Sequence, residues 1–132
     1  MTQLIKEMRE IYRIRHYDFM GYKFNTIDDI SYHHLVKKCD GGLRTLDNGA
    51  LLVKDTSHPY LHLIESVDYD RYLYINKILT IINDQRSHPT IEQLKAIRQL
   101  LLEFEAEHIN DTTKKGKKIL KKEFITGRIK LW

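Results

Sequence analysis

The sequence predicts an α+β domain in which helix dominates. Three observations carry that expectation. Apolar residues recur at helical spacing in segments near residues 2–13, 69–84 and 91–107. Two short apolar segments, within "DISYHHLVKK" and "ALLVKD", read as strands. Turn-forming "CDGG" and "DNG" lie between those two.

Leu4, Met8 and Ile11 recur among charged residues, which predicts an amphipathic helix over residues 2–13. "YDFMGYKF" alternates aromatic and other residues around Gly21, as a strand or an extended segment would. Ile30, Tyr32 and the β-branched Val36 favour a strand in the next segment. Asn48-Gly49 ahead of "ALLVKD" is a common hairpin signal. A helix is then expected near "TSHPYLHLIE", capped by Ser57 or His58, with Pro59 in the first turn, where its missing N–H costs nothing. Tyr72, Ile75, Leu79 and Ile82 mark a helix over 69–84, and "RSHP" ends it. Thr90 and Gln93 form a capping box, from which Ile91, Leu94, Ile97, Leu101 and Phe104 carry a helix to about Glu107. The Lys-rich stretch after Asn110 has the composition of a weakly ordered segment, although "ILKKEFITGRIKLW" holds enough apolar residues to dock.

A length of 132 residues suits one domain. The chain shows no run of 18 apolar residues and no apolar leader in "MTQLIKEMRE", so no membrane association is expected. A single cysteine, Cys39, excludes an internal disulfide and a CxxC zinc knuckle, and points to a reducing cytoplasm. Cys39 itself reads as a small loop or core residue. The charge is uneven. Residues 112–132 hold eight basic residues against Glu123, a net +7 out of the formal +4 of the whole chain, which leaves −3 for residues 1–111. Any attraction to polyanions is therefore concentrated in that tail.

Four of the seven histidines fall between Ser31 and Glu65. His58 and His62, four apart on a predicted helix, share one face and can reach one metal ion. A third ligand must come from elsewhere, and the preceding strand offers His33 and His34. Neighbouring strand residues point to opposite sides, so one can hold an ion while the other faces a different part of the site. His16, His88 and His108 lack such a context and read as surface or turn residues.

His33-His34, Asn48, His58 and His62 stand at intervals of fourteen, ten and four residues from His34 onward. This pattern, with "GG" and "NGALL" ahead of the helix, resembles the HNH or ββα-metal endonuclease family. The flavour is that of small stand-alone HNH proteins of phages and mobile elements of Gram-positive bacteria. The resemblance covers about residues 30–65. It implies a ββα-metal core at 28–67, supported by helices at 2–13 and 69–107 in a domain spanning 1–111, with a basic tail at 112–132. It also implies that His34 is the general base and that His33, His58 and His62 are ligands to one divalent ion: zinc, nickel, manganese or magnesium. Asn48 matches the family's central catalytic-site Asn, which pins the loop in some members and approaches the metal in others; with three histidines filling the ligand set, the pinning role is expected here. Many family members carry Asp where this chain has His33.

The activity so implied is hydrolysis of DNA phosphodiester bonds in the cytoplasm of a bacterial or phage-infected cell, with low or partner-supplied sequence specificity. Arg44, Lys114, Lys115, Lys117, Lys118, Lys121, Lys122 and Arg128 are the candidate phosphate contacts. The alternative is an HNH-fold phage or mobile-element protein that binds a host nuclease or defence protein as inhibitor or adaptor. RNA is a second conceivable substrate. The sequence does not fix the oligomeric state.

Overall fold

A computed structural model describes residues 2–113 and 115–126. The elements run α1 (Gln3–Tyr12), β1 (Ile30–His34), β2 (Gly49–Val53), α2 (Ser57–Val67), α3 (Tyr69–Gln85) and α4 (Ile91–His108). Short 3-10 turns punctuate the connections. The described residues are thus α+β, with four α-helices around one two-stranded antiparallel sheet. No helix among the described residues is long and apolar enough to cross a membrane.

In α1 the Thr2 hydroxyl caps the first turn by accepting from the Ile5 amide, and Ile5, Met8 and Tyr12 bury one stripe. Arg13, in the left-handed region, ends the helix. Residues 17–24 are an extended turn rather than a full strand, with a single bridge from Tyr17 to Lys23 and Gly21 at φ 90°. The carboxylate of Asp18 organises this turn. One oxygen accepts from the Met20 and Tyr22 amides, each at 2.9 Å. The other accepts from the Val53 amide at 2.9 Å and from the Ser57 hydroxyl. One fully buried side chain therefore ties the 17–24 turn to the end of β2 and the start of α2.

β1 and β2 pair in the register Ile30↔Val53 to His34↔Gly49. Their connection is not the tight hairpin that Asn48-Gly49 suggests. It takes all of residues 35–48, and Gly49 is extended at φ −121° and already paired. Glycine is needed there for room: a Cβ would lie 2.3 Å from the Tyr32 ring and 2.8 Å from the Met8 methyl. Asn48 clips the long connection shut. Its Oδ1 accepts from the Val36 amide at 2.7 Å, and its Nδ2 donates to the carbonyls of Val36 and Leu43 at 3.0 and 2.9 Å. Gly42 permits the close turn, since a Cβ there would meet the Val36 carbonyl at 1.8 Å.

The cap of α2 is Thr56, without a side-chain bond, and not Ser57 or His58. Ser57 is diverted to Asp18, and the burial of that network outweighs the cap. In α3 the stripe of Tyr72, Ile75, Leu79 and Ile82 is buried, and Arg86 terminates the helix in the left-handed region. The Thr90–Gln93 capping box opens α4, where Leu94, Ile97, Leu101 and Phe104 are buried but Ile91 stays half exposed. Asn83 on α3 donates to the carbonyls of Leu46 and Gly49, which anchors the sheet to the helices.

The core continues past residue 111. Leu120 and Phe124 are buried, and the Phe124 ring stacks on Tyr60 at 5.1 Å between centroids. Glu105 collects the Tyr60 hydroxyl at 2.7 Å and the Thr126 amide at 3.0 Å. Residues 120–126 are therefore a docked strap. Lys114 and Arg128 lie outside the described residues.

Candidate metal centre

Strand alternation turns His33 toward α2 and α3, while Tyr32 and His34 share the other face of β1 with their rings 4.8 Å apart. The i, i+4 spacing stacks His58 and His62 on one side of α2, with centroids 4.8 Å apart. The His33 ring lies 5.5 Å from His58 and 6.0 Å from His62. Each of the three offers a nitrogen within 4.8 Å of the other two, close enough to share one cation.

Outer partners hold each ring. Asn76 Nδ2 donates to the Leu35 carbonyl at 2.9 Å, which turns Oδ1 toward His33 Nε2 at 2.8 Å. His33 Nε2 therefore carries the proton, and Nδ1 keeps its lone pair. The Ser31 hydroxyl donates to the Leu52 carbonyl at 3.1 Å and lies 2.7 Å from His58 Nδ1. His58 thus donates from Nδ1 and leaves Nε2 free. His62 Nδ1 faces Glu65 at 3.3 Å, and Glu65 also pairs with Lys37. Three rings, each tethered at one nitrogen and free at the other, fit a divalent ion that prefers imidazole.

Burial lowers His33 and His58 from the ordinary 6.5 to about 4, so both are neutral at pH 7. The ion-free protein should accordingly lose stability in acid. Between pH 6.5 and about 4 the unfolded chain binds protons that the folded one refuses, so stability rises with pH across that window. Asp18 works the other way. Burial raises its carboxyl from 3.8 to about 6, so the folded chain holds the extra proton there. With two groups against one, urea midpoints measured with chelator should fall from pH 7 to pH 4.5.

His34 is half-buried at the end of β1 and lines the same cavity, of about 360 Å³, as His33, His58 and His62. Desolvation, then the charges of Arg44 and Lys38, lower its pKa and keep it a neutral base. Asn48 is not among the cavity's lining residues; it holds the connection from which Lys37, Lys38 and Cys39 wall the cavity. Cys39 is exposed.

The candidate phosphate contacts are dispersed. Arg44 lies 4.7 Å over the Tyr32 ring and 3.0 Å from the Thr2 hydroxyl, outside the cavity wall. Lys115, Lys117, Lys118, Lys121 and Lys122 are exposed. The strap that carries the last of these docks through Phe124 on Tyr60, about 200° around α2 from His58. The tail thus joins the back of the helix whose front bears the histidines.

A second trio, Asp68, Glu107 and His108, also has ligand-like spacing. There the Arg71 guanidinium lies 2.8 Å from Asp68 and 2.9 Å from Glu107, which makes it an ion-pair hub.

Ser31, Glu65, Asn76 and Lys38 were not singled out by sequence reasoning. Glu65 had a signal, three residues after His62 on the same helix, and Ser31 lies two before His33 on the same strand face. Asn76 had none, being brought in from 43 residues away. No protein-family model, curated protein or solved structure matches this chain.

Proposed function

We propose that this chain is a metal-dependent endonuclease of the HNH type that hydrolyses DNA phosphodiester bonds. One observation carries the reading: three tethered imidazoles converge from a strand and the following helix, and a fourth, neutral one lines the same cavity. His33, His58 and His62 would hold the ion. When bound, it supplies a Lewis acid that offsets charge developing on the scissile phosphate. His34 then removes the proton from the attacking water, as a neutral imidazole can near pH 7. Lys38, exposed on the cavity wall, adds a cation for the phosphate. Sequence specificity is low or supplied by a partner, because no dedicated recognition helix accompanies the site among the described residues.

The test is metal analysis joined to plasmid nicking. Wild-type protein should carry about one divalent ion per chain and nick plasmid DNA, and chelator should stop it. His58→Ala should lose both the ion and the nicking while keeping its helical spectrum. Equal nicking with and without chelator, across several metals, would overturn the reading. Ion binding with no nicking would favour a binding module of the same fold. Faster cleavage of RNA than of DNA would reassign the substrate.

A further inference from the structure

A second cavity, of about 290 Å³, lies between the end of α1, the 17–24 turn and the start of α4. It shares no lining residue with the histidine cavity. Two cations, Arg13 and Arg15, stand on its rim beside the imidazoles of His16 and His88, and all four are exposed. Its floor is apolar, built from the half-buried Tyr17 ring and the buried Pro89 and Leu94.

The cations have little internal employment. Arg13 makes no side-chain hydrogen bond or ion pair among the described residues, and Arg15 reaches the Arg9 carbonyl and the Glu10 carboxylate only at 3.5 Å each. His88 engages one nitrogen, Nδ1, with the Pro89 carbonyl at 3.1 Å, which leaves Nε2 open. Asp18 also borders the cavity, but both its oxygens are taken by four internal donors. The first turn of the 18-residue α4 adds the positive end of a helix dipole.

A floor of one aromatic ring and aliphatic carbons suits a flat apolar body. Two forked guanidiniums on the rim suit the oxygens of a phosphate. We infer that this cavity is a binding site for a nucleoside monophosphate, with the base on Tyr17 and Leu94 and the phosphate between Arg13 and Arg15. The inference is independent of the nuclease reading, since a chain inactive on DNA could still bind here.

The experiment is a titration of the full chain with adenosine 5′-monophosphate, inorganic phosphate and adenosine, each followed by amide NMR shifts and calorimetry. The monophosphate should bind and move the amides of Tyr17, His88 and Leu94. Phosphate alone and adenosine alone should bind much more weakly. The double variant Arg13→Gln, Arg15→Gln should weaken the monophosphate by about ten- to a hundred-fold, the worth of a charged hydrogen-bonded contact. His88→Glu, at an exposed position, should weaken it further while leaving the helical spectrum unchanged. No binding at millimolar monophosphate would overturn the proposal. So would shifts confined to the histidine cavity, or phosphate binding as tightly as the nucleotide.

Discussion

His34→Ala should lower the nicking rate by about 10²- to 10⁴-fold, the usual worth of a general base. It should leave one ion per chain in place. The separation follows from where the ring stands. His34 lies on the Tyr32 side of β1, paired across the sheet with Gly49, and none of the bonds that orient His33, His58 or His62 passes through it. Its truncation removes a proton acceptor from the cavity and leaves the three tethered rings as they are. Loss of the ion together with the activity would show that His34 belongs to the ligand set, and unchanged nicking would remove it from the chemistry. His34→Gln serves as a second variant, because it retains polarity and length but cannot accept a proton near neutral pH.

The largest effect on stability is expected at Asp18, outside the site. Asp18→Ala strands the Met20 and Tyr22 amides in a fully buried place, and leaves the Val53 amide only Ser57 Oγ at 2.9 Å and the Ser57 hydroxyl only the Val53 carbonyl at 3.5 Å. Each orphaned buried donor costs about 1–3 kcal/mol, although water entry and relief from burying a carboxylate return part of it. A net loss of about 3–5 kcal/mol is expected, within the range for breaking a buried polar network. That is a large fraction of the roughly 5–15 kcal/mol that holds a domain of this kind together. Urea denaturation at pH 7 measures it, and a loss below about 1 kcal/mol would mean that the turn holds without its hub. Because Ser57 adjoins His58, ion affinity should fall as well in any fraction that stays folded.

The helices were legible wherever a period of apolar residues met a capping signal. Tyr72, Ile75, Leu79 and Ile82 declared α3, and Thr90 with Gln93 declared the start of α4. The gathering of His33, His58 and His62 was legible too, because strand alternation and helical spacing act locally. What was hidden depends on contacts between distant segments. Asn48-Gly49 looks like a tight turn in sequence. In the fold the glycine makes room for Tyr32 and Met8, and the asparagine staples a long connection. Asp18 carries no sign of its role, since nothing in "YDFMGYKF" reveals that Val53 and Ser57 will arrive. The docking of Phe124 was equally obscure, because one aromatic residue among lysines does not announce its partner.

The stacking of Phe124 on Tyr60 also sets an order of events during synthesis. Translation delivers His33 and His34 about ninety residues, and His58 and His62 about sixty, before the segment that seals the rear of α2. Until Phe124 and Thr126 leave the ribosome, Tyr60 lacks the ring that stacks on it and Glu105 lacks the Thr126 amide. A nascent chain therefore displays its imidazoles early and stiffens them late, which delays their competence until residues 120–126 have been made.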